Sequence, residues 1–263
     1  MINTGSRWTL RLLQGSDDLS SRLLSTIRRT LLAPEPWSLD VDLRYLPVVR
    51  FLRNNHLNAS LLEVGSSSTG ITPYVSSTVV GADAMFPGSI AEQLIPVVTR
   101  HPLPFRDASF DVVVSLDTFE HIPRDLRQNF ITELIRTAKR YVVIGFPEGS
   151  AAEKHDAAME KYFTRQHGAP HPYFVEHRGY GVPKEREFER YVAHATQQLS
   201  KHVSISKQKN VNLTMRTLFM RLVWNKRKIL QRLYTVATAV SRWDRLFHFG
   251  ACYRTIYFLT IHE

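Results

Sequence analysis

The stretch Ser60-Leu61-Leu62-Glu63-Val64-Gly65-Ser66-Ser67-Ser68-Thr69-Gly70 decides the fold. A short apolar run with an acid near its end passes directly into a loop of small residues. Glycine and serine let a backbone come close to a bound ligand, and the carboxyl end of a parallel strand opens onto a crevice where ligands sit. A phosphate-cradling loop would end in Gly-Lys-Ser/Thr, whereas Gly70 is followed by Ile71-Thr72. A dinucleotide fingerprint would place a glycine where Ser67 stands.

Outward from this loop the signals alternate. Upstream, Leu43, Leu46, Val49 and Leu52 recur at helical spacing between Asp42 and His56. Further upstream, the leucines from Leu10 to Leu31 suggest a helical N-terminal segment over 1–40, stopped by Ala33-Pro34-Glu35-Pro36. Downstream, Thr78-Val79-Val80-Gly81-Ala82-Asp83 reads as a second strand ending in an acid. A weak helix from Ser89 and a short strand at Ile95-Val98 follow. Phe110-Asp111-Val112-Val113-Val114-Ser115 and Tyr141-Val142-Val143-Ile144-Gly145-Phe146 are continuous apolar strands of the kind buried on both faces, with an amphipathic helix over Arg124–Lys139 between them. This rhythm predicts an α/β fold, doubly wound around a mostly parallel sheet. Residues 149–200 break it and are expected to form a polar insertion over the sheet edge. Strand character returns at Val203-Ser206 and at Cys252-Ile261, with a basic helical stretch between about Asn212 and Val240.

Four ordered motifs within residues 60–147 resemble those of class I S-adenosylmethionine-dependent methyltransferases, in particular the small-molecule, type 11-like members. The Glu63–Gly70 loop is similar to their first motif. Asp83 follows Glu63 at the spacing of their ribose-binding acid. Leu103-Pro104-Phe105-Arg106-Asp107-Ala108-Ser109-Phe110-Asp111 matches their "LPF-x-D-x-SFD" segment. Asp117-Thr118-Phe119-Glu120-His121-Ile122-Pro123 matches their "D-x-x-EH-hydrophobic-P" turn. The resemblance implies a seven-stranded Rossmann-like sheet with its last strand antiparallel, spanning 41–263, with 149–200 as a lid and 201–254 as a basic helical region before the last strand.

It also implies S-adenosyl-L-methionine as cofactor, bound by Glu63, Gly65, Ser67, Gly70, Asp83, Leu103 and Asp117. A carboxylate at 83 offers acceptors to both ribose hydroxyls, and its bland alternative is a strand-end cap. Asp117 stands where methionine and acceptor meet, or simply caps the following turn. The amide or acid that often meets the adenine amine is missing near Thr99-Arg100-His101, which leaves backbone groups for that task. For proton removal from an acceptor, His121 beside Glu120 and His177 beside Glu176 have the right chemistry. Gly179 and Gly181 make the second pair look like a lid hinge, and a solvated surface loop is the alternative. His155, His167, His171 and His177 follow no helical-pair spacing and no cysteine joins them, so no metal site is expected.

Charge refines the setting. The chain has a net charge of +10. Residues 1–200 carry 22 basic and 22 acidic residues, whereas residues 201–263 carry 12 and 2. The basic excess over 207–245 fits a solvated helix face, an anionic membrane surface or an anionic acceptor. Nucleic acid ranks below these, because no aromatic-interleaved RNA motif or zinc finger is present. No apolar run reaches spanning length, no secretory signal is visible, and Cys252 is the sole cysteine, so a cytoplasmic enzyme is expected, with peripheral attachment at the inner membrane face as an extension. The acceptor implied is a small molecule, sugar or lipid-linked species, methylated at oxygen. Two rivals stand beside this reading: a non-catalytic membrane- or partner-binding module on a worn fold, and a nucleic-acid methyltransferase. The Asn/Asp-Pro-Pro-Tyr/Phe motif of amino-directed DNA enzymes is absent.

Overall fold

The computed structural model describes residues 39–57, 59–67, 70–84, 94–96, 102–227, 229–230 and 244–262. The helix expected before residue 40, the one expected from Ser89, and most of the basic stretch beyond Arg227 lie outside them. The elements in chain order are α1 (Leu39–Asn54), β1 (Leu61–Val64), β2 (Val79–Asp83), β3 (Leu94–Pro96), β4 (Phe110–Leu116), α2 (Arg127–Thr137), β5 (Ala138–Pro147), α3 (Gly149–His167), α4 (Pro172–Tyr180), α5 (Glu185–Leu199), β6 (His202–Asn212), α6 (Leu213–Val223) and β7 (Cys252–His262). One seven-stranded sheet results, in the order β3-β2-β1-β4-β5-β7-β6. Strands β1 to β5 pair parallel, and β7 runs antiparallel to both β5 and β6.

The apolar strands are continuous because both faces are covered. Leu62, Val113, Val142, Ile144, Tyr257 and Leu259 point to one layer, packed by Phe130, Ile131, Leu134 and Ile135 of α2 and by Phe188, Val192 and Ala195 of α5. The alternate residues Leu61, Val112, Val114, Val143, Ile256 and Phe258 point to the other, packed by Tyr45, Val48 and Leu52 of α1. This is the period-2 geometry of a strand applied to a sheet with two buried faces.

Residues 149–200 form three helices, and of these α4 supplies residues that line the site. Helix α5 packs into the sheet core, which its buried Phe188 and Val192 require. The strand expected at 203–206 is longer, running to Asn212, because β7 supplies a ladder along its whole length.

Helix α1 contains Pro47, which has no N–H to give to the carbonyl of Leu43 one turn earlier. The fully buried Asn210 at the end of β6 donates to that carbonyl at 2.8 Å, and its own oxygen accepts from Arg254 at 2.7 Å. An internal proline is thereby accommodated and α1 is tied to the antiparallel end of the sheet. Asn210→Ala strands a buried carbonyl and an arginine N–H. It is expected to cost about 2 kcal/mol, read as a lower urea midpoint at unchanged slope.

Candidate active site

The strand order reverses between β1 and β4, and that switch point opens a crevice at the carboxyl ends of the strands. Its floor is the loop after β1. Gly65 has φ +84°, and a Cβ there would lie 1.9 Å from the Thr118 hydroxyl, so only glycine fits. Ser67 also has a left-handed backbone, φ 51°, and its N–H donates to Asp83 Oδ2 at 2.7 Å. A residue with a side chain therefore occupies a conformation glycine would take more easily.

Glu63 lies beneath the loop and not in the cleft. It is buried, accepts from the Tyr45 hydroxyl at 2.6 Å, and accepts from the Ile71 N–H at 2.7 Å. Gly70 passes so close that a Cβ would fall 2.0 Å from Glu63 Oε2. Glu63 and Gly70 thus shape the loop from below. Burial pushes the Glu63 carboxyl up to about 7, against the lowering bonds from Tyr45 and Ile71.

Val64, Gly65, Ser67, Ala82, Asp83, Leu103, Asp117, Thr118, Asn129 and Glu133 line a cleft of about 450 Å³ at this switch point. The Leu103 N–H donates to Glu133 Oε2 at 2.7 Å, which fixes the 102–105 segment along one wall. Asn129 and Glu133 come from α2 and were not singled out in the sequence. Their polar position on an amphipathic helix gives no signal of a ligand.

At the far wall Asp117 adopts φ 49° immediately after β4. Both its oxygens accept from the buried Arg254 of β7, and Arg44 Nε of α1 lies 3.1 Å from Oδ2. Burial would raise the Asp117 carboxyl, but the two guanidiniums hold it far below the usual carboxylate range. Its charge is therefore fully engaged within the protein, which makes it the joint of the site more than a free ligand.

Beyond that joint lies a second cavity of about 350 Å³ that shares Arg44, Asp117 and His121 with the cleft. Its polar end contains Glu120, His177, Tyr173 and Arg216, and its outer wall Phe219, Met220, Val223 and Trp224. Val211, a β-branched residue at φ 62°, lines it too, a strained conformation of the sort that collects at functional sites. The two predicted histidines meet here although 56 positions separate them in the chain. Their rings stand 4.8 Å apart. His121 Nδ1 bonds Glu176 Oε2 at 2.6 Å, and His177 Nδ1 bonds Asp156 Oδ2 at 2.8 Å. Burial, then the neighbouring His177, lower the His121 pKa against the raising effect of Glu176. Burial, then Asp117, push Glu120 well above the ordinary range. The segment around His177 is helix α4 packed on the 119–121 turn and not a hinge loop; Glu176, His177 and Gly179 all lie within it, and Gly181 caps it. Glu120, His121 and His177 each offer a ligand atom within 4.8 Å of the others, a grouping the spacing of the histidines did not disclose.

The sheet order, the glycine-cradled loop after β1 and the acid ending β2 are those of a class I, Rossmann-like methyltransferase fold. Residues 62–144 match the family described as "Methyltransferase domain", which supports an S-adenosylmethionine-dependent methyltransferase. No curated protein matches it by sequence. Among solved structures it is similar to a plantazolicin methyltransferase in complex with a pentazolic desmethyl analogue and S-adenosylhomocysteine, at TM-score 0.51 and 10% identity over 94% of this chain and 93% of that one. It is also similar to the magnesium protoporphyrin IX methyltransferase of Synechocystis PCC 6803 with bound S-adenosylhomocysteine, at TM-score 0.49 and 10% identity over 82% of this chain and 81% of that one. At such identities the likeness is one of fold.

Two measurements check the site. Asp83→Ala removes the anchor of the Ser67 N–H together with the acceptor facing the cleft, and calorimetric titration is expected to show cofactor affinity reduced at least about tenfold. Glu63 takes up a proton more readily folded than unfolded, so its stabilising contribution is complete below about pH 4.5 and is lost as pH rises through 7. The stability of the unliganded parent relative to Glu63→Gln is expected to fall across that window by up to about 3 kcal/mol in denaturant titrations.

Proposed function

We propose that the chain methylates an oxygen of a small-molecule, sugar or lipid-linked acceptor held in the second cavity. The observation that carries this is the shared wall: Arg44, Asp117 and His121 line both spaces, so a sulfonium methyl in the cleft faces an acceptor in the cavity. Methyl transfer is an in-line displacement that asks for positioning, exclusion of water and, for a hydroxyl acceptor, removal of a proton. In this reading Asp83 and the Gly65–Ser67 backbone hold the cofactor, Leu103 supplies an apolar wall, and α4 and α6 close over the acceptor. The hydroxyl proton is removed at the His121–His177 face, whose two carboxylate partners orient the rings.

A cavity of this volume suits the reacting end of a small acceptor. Val223 lines it and is 36% exposed, with Leu218 50% exposed on the same helix and Lys226 and Arg227 just beyond. An apolar mouth beside cationic residues favours an acceptor presented from an anionic lipid surface. Among the described residues no helix is long and apolar enough to cross a membrane, so contact with a bilayer would be peripheral.

Labelled cofactor incubated with cell extract, followed by separation into lipid, glycan, nucleic-acid and protein fractions, is expected to label the lipid or small-glycan fraction. Label confined to nucleic acid overturns the proposal. His177→Gln is expected to slow labelling by about 10²- to 10⁴-fold with cofactor affinity unchanged, since His177 does not line the cleft. Flotation with anionic liposomes is expected to carry the parent chain, and neutralising Lys226, Arg227 and Lys228 together to abolish it.

A further inference from the structure

We infer that Glu120, His121 and His177 form a site for a divalent first-row cation of the zinc or cobalt(II) type, placed to receive the acceptor oxygen. The inference rests on the oxygen-methylation reading for its chemical purpose, but its geometry is independent of it. One ligand atom from each of the three residues lies within 4.8 Å of the others. His177 Nε2 stands 3.9 Å from Glu120 Oε1. Ligands around one tetrahedral cation at bond lengths of about 2.0–2.2 Å stand roughly 3.3 Å apart, so small side-chain rotations close the set.

The hydrogen bonds point the same way. His177 is 4% exposed and Glu120 1% exposed, yet among the described residues His177 Nε2 and Glu120 Oε2 have no hydrogen-bond partner. Buried polar atoms are almost always satisfied, and each such exception calls for a ligand, a water or an ion. Both imidazoles are held at Nδ1 by a carboxylate, His121 by Glu176 at 2.6 Å and His177 by Asp156 at 2.8 Å. A carboxylate on Nδ1 fixes the proton there and leaves the Nε2 lone pair free, which is the arrangement that orients metal-bound histidine. Two imidazoles and one carboxylate suit a borderline divalent cation and leave a coordination position open.

With the cation in place the imidazoles act as ligands and not as free bases. The acceptor hydroxyl oxygen takes the open position, where the cation lowers its pKa. Its proton passes to solvent water. An oxygen lone pair forms the new C–O bond with the methyl carbon, and the C–S bond breaks with its electron pair remaining on sulfur. The sulfonium becomes a neutral thioether, and nothing is oxidised or reduced.

Titration of the metal-free full-length chain with Co²⁺ tests the site without any turnover. One equivalent is expected to bind, with visible d–d absorption and a raised melting temperature. His177→Gln and Glu120→Gln are expected to abolish the absorption. Asp156→Asn and the half-exposed Glu176→Gln are expected to weaken binding about 10- to 100-fold. Circular dichroism and cofactor titration establish that each variant is folded. Absence of Co²⁺ and Zn²⁺ binding in the parent overturns the inference, as does binding that folded His177→Gln and Glu120→Gln variants retain. Cation binding without transfer of label to any hydroxyl acceptor leaves the site standing and removes the oxygen-methylation reading. Labelling undiminished by a chelator, with no Co²⁺ signal, does the reverse.

Discussion

The buried ion pair between Asp117 and Arg254 is the constraint around which the rest of the site is arranged. Asp117 ends β4 at the switch point in a left-handed backbone, and Arg254 reaches it from β7, the antiparallel strand two positions further along the sheet. Removing two charges from water is expensive, and such a pair persists only when the remaining donors and acceptors are also satisfied. Here they are. Arg254 also donates to Asn210, Asn210 supports the carbonyl that Pro47 leaves free, and Arg44 from the same helix adds a second cation to Asp117. One network therefore fixes α1, β4, β6 and β7 relative to each other, and the wall between the two cavities is made from it.

The same principle operates at the cofactor loop. Glu63 is buried, and its two bonds to Tyr45 and Ile71 hold helix α1 and the loop against β1. The cost of burying the acid appears as its raised pKa, and the return is a loop whose glycines can approach a ligand. Ser67 and Asp83 complete the loop from above. Acids thus serve three different ends at three strand termini: Glu63 shapes the loop, Asp83 faces the cleft, and Asp117 joins the two cavities.

The charge distribution reads differently in three dimensions. In the sequence the basic excess of the last quarter suggests an outward-facing surface. Arg216 and Arg254 instead turn inward, Arg216 at 3.9 Å from Asp156 and with its guanidinium stacked over Tyr253, and Lys209 bonds Glu148 at 2.7 Å. Part of the excess therefore neutralises acids of the balanced body, while Arg221, Lys226, Arg227 and Arg245 are among the described residues that stay exposed.

Local order in the chain was enough to determine the sheet. The apolar runs at 112–114 and 141–146 read as strands buried on both faces, and the glycine loop with Asp83 marks the crevice. Those signals are legible because period, burial and turn chemistry act over a few residues. Which acid lines the cleft was not legible, since Glu63 and Asp83 are both acids at strand ends and differ only in what packs over them. Nor was the meeting of Glu120, His121 and His177, or the turning inward of Arg216 and Arg254. These depend on contacts between residues tens to more than a hundred positions apart. Only the packing of α4 on the 119–121 turn, and of β7 between β5 and β6, brings their side chains within reach of one another.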